Sequence, residues 1–182
     1  SNKVVTITQE NINSTPSCDA LITNLTNAPL MVMVADCSPV LLFDAKQGVI
    51  AAIHAGRAGA FSNIIKESIE SMSNSFDSKA KDLVATIGAS IGVCCYEVGK
   101  EIEDEAKILS LEYALKHRDG RRYLDVNAIL KQQLLSCGVV EENIEFANIC
   151  SSCNTDTYYS YRASGQTGRF AGVIMLKDTP IK

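Results

Sequence analysis

The sequence predicts an α+β fold, a mixed α/β arrangement in which a mixed β-sheet forms the core and helices flank it. Short apolar runs typical of strands alternate with amphipathic segments of helical period along the 182 residues. Some neighbouring runs are so close in sequence that they should pair as hairpins, which makes the sheet mixed. The sequence has no internal repeat, low-complexity tract or linker, so we expect residues 1–182 to form a single domain.

Apolar runs predict the strands, five before and three after the first helical segment. In chain order they cover residues 3–8, 18–23, 30–35, 40–43, 49–53, 83–87, 144–148 and 170–176. The polar, proline-containing stretch at residues 10–17 predicts a loop, and residues 24–29 predict a turn.

Three segments predict helices. Apolar residues recur at helical spacing over residues 61–76, and a charged helix is expected over residues 99–117. Asp119 and Gly120 then mark a turn. Asp125 is typical of an N-cap and Gly138 of a helix end, which predicts the third helix between them.

Composition excludes several classes of protein. Hydrophobic residues make up 46% and charged residues 21%, as in soluble globular domains. The net charge of -4 argues against a nucleic-acid partner, which requires a basic face. No apolar run approaches the roughly 20 residues that span a bilayer, and the start of the sequence shows no signal-peptide pattern. The seven irregularly spaced cysteines favour reduced thiols in a cytoplasmic enzyme over a disulfide framework.

The predicted hairpin of residues 40–43 and 49–53 carries the first candidate site. If Ala45 and Lys46 form a two-residue loop, Cys37 and His54 lie directly opposite each other, with Cβ atoms about 5 Å apart. The pair has three interpretations: buried core residues, a nucleophile with its base, or two ligands of a metal. A catalytic zinc site uses about three protein ligands, so a further ligand is needed for the third interpretation.

Other candidate residues favour simpler interpretations when each is taken alone. Cys150 and Cys153 form a lone Cys-x-x-Cys motif without a second pair at zinc-finger spacing, and Cys94 and Cys95 are interpreted as packing. His117 lies in a basic stretch and is expected at the surface.

Two arginines lie on a glycine-containing loop near the end of the chain. Arg162 and Arg169 flank Gly165 and Gly168, a setting in which guanidinium groups can bind phosphate or carboxylate. The alternative is a surface turn with ion-paired arginines, which this loop alone would favour.

Several segments together resemble the YfiH-type family, also known as laccase-domain or multicopper polyphenol oxidase proteins and as purine nucleoside phosphorylases. The matching segments, in family order, are residues 19–23 (DALIT), 35–39 (ADCSP), 54–56 (HAG), 87–92 (IGASIG), 95–99 (CYEVG), 124–125 (LD), 160–162 (SYR) and 168–169 (GR). Each segment alone is weak, but the ordered set covers most of the chain and is specific.

The resemblance implies a zinc site, with copper as the alternative metal. Family members hold the ion with two histidines and a cysteine, which places Cys37 and His54 as catalytic metal ligands here. The other family histidine would fall just before Ser1, so we expect this chain to lack an N-terminal segment that relatives have. The chain also departs from the family after residue 56, since Arg57 and Ala58 stand where Trp-Arg is usual.

The resemblance also implies a function, which is cleavage of purine nucleosides by phosphate together with deamination of adenosine. Adenosine, inosine and guanosine are the expected substrates, with methylthioadenosine as a further candidate. Asp36 is a candidate proton donor, and Arg57, Arg162 and Arg169 are candidate substrate-binding residues. Phosphate and a purine nucleoside are the expected partners.

Two other functions stay open. Cys37 and His54 could serve a cysteine hydrolase or deamidase, and the domain could bind nucleosides without turnover. A multicopper oxidase is disfavoured, because copper sites of that kind need many histidines and the sequence has two.

Overall fold

The computed structural model describes residues 2–178, and its strands form three sheets around which the helices pack. The strands are β1 Val4–Thr6, β2 Ala20–Thr23, β3 Leu30–Val34, β4 Ser38–Asp44, β5 Val49–Ala55, β6 Leu83–Ile87, β7 Glu97–Val98, β8 Leu115–Arg118, β9 Arg121–Leu124, β10 Ile144–Phe146 and β11 Phe170–Ile174. The helices are α1 Arg57–Phe61, α2 Ile64–Phe76, α3 Lys100–Ile108, α4 Val126–Ser136 and α5 Tyr161–Ser164.

The central sheet is mixed, which confirms the predicted fold class. Its strand order is β1-β2-β5-β4-β6-β10, with parallel pairing of β1 to β2 and of β6 to β10 and antiparallel pairing elsewhere. The apolar run in β5 is continuous because this strand is covered on both faces, and every residue from Val49 to Ile53 is buried.

The two faces of the central sheet have different covers. Helices α2 and α4 pack on one face through fully buried side chains such as Ile65 and Ile129. The other face is covered by the antiparallel ribbon of β3 and β11, whose Val32 packs with Ile50 of the sheet. The ribbon alternates buried and exposed residues because only its inner side meets the core.

The predicted register of the β4–β5 hairpin is wrong: each residue of β4 pairs with a residue two positions later in the chain than predicted. Asp44 pairs with Val49, so the loop contains four residues and Pro39, not Cys37, lies opposite His54. The cause is Asp44 itself, because its Oδ1 accepts the backbone N–H groups of Lys46 (2.9 Å) and Gln47 (3.1 Å) and closes a wider turn.

The helix predicted over residues 99–117 is also partly wrong. Helix α3 ends at Ile108, and residues 115–118 instead form β8, which pairs with β9 across the predicted turn. Asp119 and Gly120 have φ values of 51° and 73°, the left-handed conformation that closes a tight hairpin. Charged side chains occur in both α3 and β8, so the sequence pattern does not show where the helix ends and the strand begins.

The other helices agree with the sequence more closely. The helix predicted over 61–76 is interrupted at Asn63, whose left-handed backbone ends α1 and whose side chain caps α2. Asp125 caps α4 by accepting the backbone N–H of Ala128 at 3.0 Å, and Gly138 follows its end with φ 94°. None of the helices between residues 2 and 178 has both the length and the apolar character that a membrane crossing requires.

Candidate active site

A cavity of about 510 Å³ opens where β3 passes into β4, beside the end of β5. The residues predicted from the sequence to form the site all line it: Asp36, Cys37, His54, Arg57, Arg162 and Arg169. They come from segments that are far apart in sequence, and the sheet topology brings them to one edge of the domain.

Cys37 and His54 are in contact, although the register that was used to predict this contact is wrong. Cys37 precedes β4, and its side chain lies close enough to the His54 ring to raise the pKa of the imidazole. Gly56 leaves the space that the thiol occupies, because a Cβ atom at that position would lie 2.8 Å from the Cys37 Sγ. The thiol and the imidazole therefore form one unit inside the cavity.

Asp19 orients the imidazole from the other side. Its Oδ1 lies 3.1 Å from Nδ1 of His54, because β2 pairs with β5 and Ala20 faces Ile53. The Cys37 side chain raises the pKa of His54, Asp19 raises it further, and burial opposes both. With Nδ1 donating to Asp19, Nε2 keeps the lone pair that a base or a metal ligand needs.

Asp19 is the first residue of the matching segment 19–23, and the sequence alone assigns it no function. Pairing of the second and fifth predicted strands would have placed it beside His54, but the order of strands in a sheet cannot be obtained from their apolar character alone.

Asp36 joins three parts of the cavity wall. Its carboxylate accepts the Ser151 hydroxyl and the backbone N–H of Arg162, both at 2.7 Å, and its backbone carbonyl accepts the N–H of Ile91 at 2.8 Å. Its φ of 86° is unusual for a residue with a side chain. Asp36 thus stands beside Cys37 with both carboxylate oxygens engaged, and its predicted role as a proton donor stays a prediction.

Each of the three cavity arginines is anchored through Nη1. Arg57 donates to Glu105 Oε2 at 2.9 Å, whereas Arg162 and Arg169 donate to backbone carbonyls at 2.9–3.2 Å. Among the described residues, the Nε and Nη2 groups of Arg162 and Arg169 have no protein acceptor, so the cavity presents guanidinium groups that are fixed but still able to donate.

Two tyrosines that sequence reasoning did not assign to the site also line the cavity, Tyr96 and Tyr161. The Arg162 guanidinium lies over the Tyr96 ring, with its central carbon 5.1 Å from the ring centroid. Burial raises the pKa of Tyr96, so its phenol keeps its proton at neutral pH. The cavity therefore combines cationic and aromatic groups.

Four thiols lie together beyond the Tyr96 side of this cavity, and we call them the four-cysteine cluster: Cys94, Cys95, Cys150 and Cys153. All their Sγ atoms lie within 4.8 Å of one another. Cys150 and Cys153 have no second pair at zinc-finger spacing in the sequence, but the fold brings a second pair of thiols to them. The second pair consists of adjacent residues, Cys94 and Cys95, which matches no common zinc spacing.

The thiols of the four-cysteine cluster differ in acidity. Burial raises the pKa of Cys150, but hydrogen bonds from the backbone N–H groups of Gly92 and Cys153 help to lower it, and the net pKa is about 7. Hydrogen bonds to neighbouring thiols, first that of Cys95, raise the pKa of Cys153. The Cys150 thiol therefore loses its proton at a lower pH than the Cys153 thiol does.

Comparison with known proteins identifies the family. Residues 1–177 match the family described as multi-copper polyphenol oxidoreductase laccase. The chain belongs to this family. A purine nucleoside phosphorylase of Bacteroides thetaiotaomicron is 34% identical over 163 residues, 87% of this chain and 60% of the relative. One of Campylobacter jejuni is 38% identical over 182 residues, 98% of this chain and 74% of the relative. The chain thus spans between 60% and 74% of the length of these two relatives.

Solved structures confirm the YfiH-like fold. The crystal structure of the hypothetical protein YfiH of Bacillus licheniformis superposes with a TM-score of 0.90 at 26% identity, covering 97% of this chain and 71% of that one. A Neisseria meningitidis protein gives a TM-score of 0.85 at 28% identity, covering 97% and 72%.

The Asp19–His54 contact predicts a pH effect in metal-free protein. Because Asp19 helps to raise the His54 pKa above its ordinary value of 6.5, Asp19→Asn should lower that pKa, as measured by NMR titration of the imidazole. The contact with charged His54 raises the free energy of unfolding. This stabilisation is fully present below pH 6.5 and is lost as the pH rises through the folded-state pKa of His54. The variant's loss of unfolding free energy should thus be larger at pH 6 than at pH 8. His117, the other histidine, is the control, and an unchanged His54 titration would contradict the assignment.

The space at Gly56 gives a second prediction. Gly56→Ala forces the Cys37 Sγ to move and should lower the free energy of unfolding by about 1–3 kcal/mol. Gly59→Ala is the matched control, since a Cβ there meets its nearest atoms at an ordinary 3.5 Å. That control should change stability by less than about 1 kcal/mol. Urea unfolding measures both variants, and equal losses would show that Gly56 is not needed for the thiol.

Proposed function

We propose that the cavity binds a purine nucleoside and phosphate and that the protein is a purine nucleoside phosphorylase. The observation that carries the proposal is the convergence of anchored arginines with the Cys37–His54 pair on one cavity of about 510 Å³. Membership of a family with relatives named purine nucleoside phosphorylase supports the same substrate class.

Phosphorolysis of a nucleoside places particular demands on a site. A phosphate oxygen attacks the anomeric carbon of the ribose while the bond from that carbon to the purine nitrogen breaks. The site must bind phosphate and offset its negative charge, and guanidinium groups can do both. Arg162 and Arg169 are the proposed phosphate ligands, because their side chains are fixed through Nη1 and have further N–H donors.

The base and ribose need a different surface. Tyr96 and Tyr161 offer aromatic faces in the same cavity, and aromatic rings stack with bases at about 1–3 kcal/mol each. Arg57 lies at the α1 side of the cavity, where it is held by Glu105. We place the purine toward Tyr96 and Tyr161, with Arg57 available to the polar edge of the substrate.

Cys37 and His54 also fit a metal ion of the family type. A thiolate and an imidazole are both zinc ligands, and the Asp19 contact fixes the imidazole in the tautomer that leaves Nε2 for a metal. Within residues 2–178, no third side chain completes a metal-sized group with this pair. A bound zinc ion, or copper in its place, would supply Lewis acidity toward a substrate oxygen or water.

Deamination of adenosine is the proposed second activity of the same cavity. Water attacks the ring carbon that bears the amino group, and the amino group takes up a proton and leaves as ammonia. Asp36 is the proposed proton donor because it directly precedes Cys37. Its carboxylate accepts two hydrogen bonds at 2.7 Å, from the Ser151 hydroxyl and the backbone N–H of Arg162, and these hold it beside Cys37.

One alternative function, a cysteine hydrolase or deamidase, is favoured by the side-chain contacts of His54 with Cys37 on one side and Asp19 on the other. A thiol that contacts an imidazole, which is oriented in turn by a carboxylate, has the arrangement of a nucleophile, its base and an orienting acid. The two functions differ in whether the Cys37 sulfur is free or bound to metal in the working protein.

The protein's setting fits an enzyme of small metabolites. The seven cysteines are free thiols in the structure, in keeping with the proposed cytoplasmic location. The net charge of -4 gives no support to nucleic acid as a partner.

The phosphate site can be tested by removing Arg162. Arg162→Ala should raise the KM for phosphate in inosine phosphorolysis by roughly 10- to 150-fold, which corresponds to the loss of about 1.5–3 kcal/mol from a charge-assisted hydrogen bond. Arg121→Ala is the matched control, because Arg121 also contacts Glu97 but lies outside the cavity. An unchanged KM for phosphate in Arg162→Ala would remove this residue from the phosphate site.

Alkylation distinguishes the phosphorylase from the cysteine hydrolase. If Cys37 binds metal, iodoacetamide should label it slowly in the protein as purified and faster after chelation. Peptide mass spectrometry can follow Cys37 separately, with Cys18, which lies outside both thiol sites, as the control. Fast labelling of Cys37 without chelation, together with inactive nucleoside assays, would favour the hydrolase.

A further inference from the structure

The four-cysteine cluster is not used by the proposed reaction. Cys37, the thiol of the cavity, does not belong to it. The cluster joins the loop that follows β6 to the turn that follows β10, two segments more than fifty residues apart. A bridge between Ser90 and Cys150 holds them side by side. The fold thus brings four thiols together near the surface, and two of them, Cys94 and Cys153, are exposed.

The distances between the sulfurs fit one metal ion. Four thiolates around zinc at a Zn–S distance of about 2.3 Å lie about 3.8 Å apart. The Cys153 Sγ is 3.7 Å from that of Cys94 and 3.3 Å from that of Cys95, and every pair in the cluster is within 4.8 Å. Small shifts of the side chains are therefore enough to form a tetrahedral site.

The backbone around the cluster is also arranged for thiolates. The N–H of Gly92 donates to the Cys150 Sγ at 3.2 Å. A Cβ atom at Gly92 would lie 3.1 Å from the Cys94 Sγ and 3.3 Å from the Cys150 Cβ, so a glycine permits this approach of backbone to sulfur. Hydrogen bonds from backbone N–H groups stabilise sulfur ligands around metals.

Positive charge lies next to the cluster. Arg118 Nη2 donates to the backbone carbonyl of Cys94 at 3.0 Å, and Arg162 Nη1 donates to that of Cys95 at 3.2 Å. Four thiolates and one divalent ion carry two net negative charges, and these guanidinium groups offset that charge. Cys94 and Cys153 are exposed, which gives a metal ion a path into the cluster.

We propose that the four-cysteine cluster is a structural zinc site, separate from the metal site implied at Cys37 and His54. Four sulfur ligands favour zinc or iron, and they leave no open position for a substrate. Each thiol that binds the ion releases its proton to solvent. This site does not depend on the proposed nucleoside chemistry.

Zinc content tests the proposal directly. In full-length protein with Cys37→Ser, which removes the cavity thiol, we expect about one zinc per chain, as for a closed four-ligand site. Adding Cys153→Ser should reduce the content to near zero. Adding Cys18→Ser instead should leave it unchanged, because this thiol lies outside the cluster. Equal zinc content in the Cys153→Ser and Cys18→Ser proteins, or no zinc in any of them, would overturn the proposal.

A second measurement keeps the proposal testable if the Cys153→Ser variant does not fold. In protein with the natural cysteines, Co²⁺ in place of zinc should give thiolate-to-cobalt charge-transfer absorption. Iodoacetamide should label Cys94 and Cys153 slowly until a chelator is added, whereas Cys18 should react at the same rate in both conditions. The assignment would be overturned if Cys94 and Cys153 were labelled at the same rate with and without the chelator. It would also be overturned if the protein contained iron with visible absorption in place of zinc.

Discussion

The arrangement of the cavity depends on the backbone and carboxylate of Asp36. The chain leaves the β3–β11 ribbon and enters the central sheet at this residue, and a φ of 86° makes the change of direction possible. A left-handed conformation outside glycine costs on the order of 1–3 kcal/mol. The hydrogen bonds from Ser151, Arg162 and Ile91 offset that cost. They also explain why Cys37, the next residue, points into a cavity with walls from distant segments.

The same constraint couples the thiol side of the cavity to its cationic side. Asp36 holds the backbone of Arg162, while the side chain of Arg162 binds the carbonyls of Cys95 and Glu97 and covers Tyr96. A displacement of Asp36 would therefore move the arginine as well as the cysteine. Substitution at Asp36 would be ambiguous as a test of proton transfer, because loss of activity would follow from loss of position alone.

The sequence predicted the fold class and most of the strands because these depend on local apolar patterns. The hairpin register failed because one side chain, Asp44, selects a four-residue loop by binding two backbone N–H groups. The strand Leu115–Arg118 was not predicted for a different reason: its exposed side chains are basic, so it lacks the apolar alternation of a half-buried strand. In both cases composition and hydrophobic period do not contain the information that decides the structure.

The site was predicted unevenly for the same reason. The predicted site residues rest on the ordered resemblance to a family, which carries tertiary information that a single apolar pattern lacks. Asp19 and Tyr96 lie in two of these segments, but their roles arise from strand order and from a loop that folds back, which the segments alone do not reveal. The four-cysteine cluster was missed because its two halves meet only in the folded chain.

The position of that cluster gives it a consequence for the cavity. Cys95 is both a thiol of the cluster and the residue with the carbonyl that receives Arg162 Nη1. Ser151, between Cys150 and Cys153, is fully buried and donates to Asp36. A metal ion at the cluster would restrict both segments without touching substrate. Arg162, the proposed phosphate ligand, is thus linked to the cysteine loops through the Cys95 carbonyl and through Asp36, so a metal bound at the cluster would also preorganise the proposed anion site.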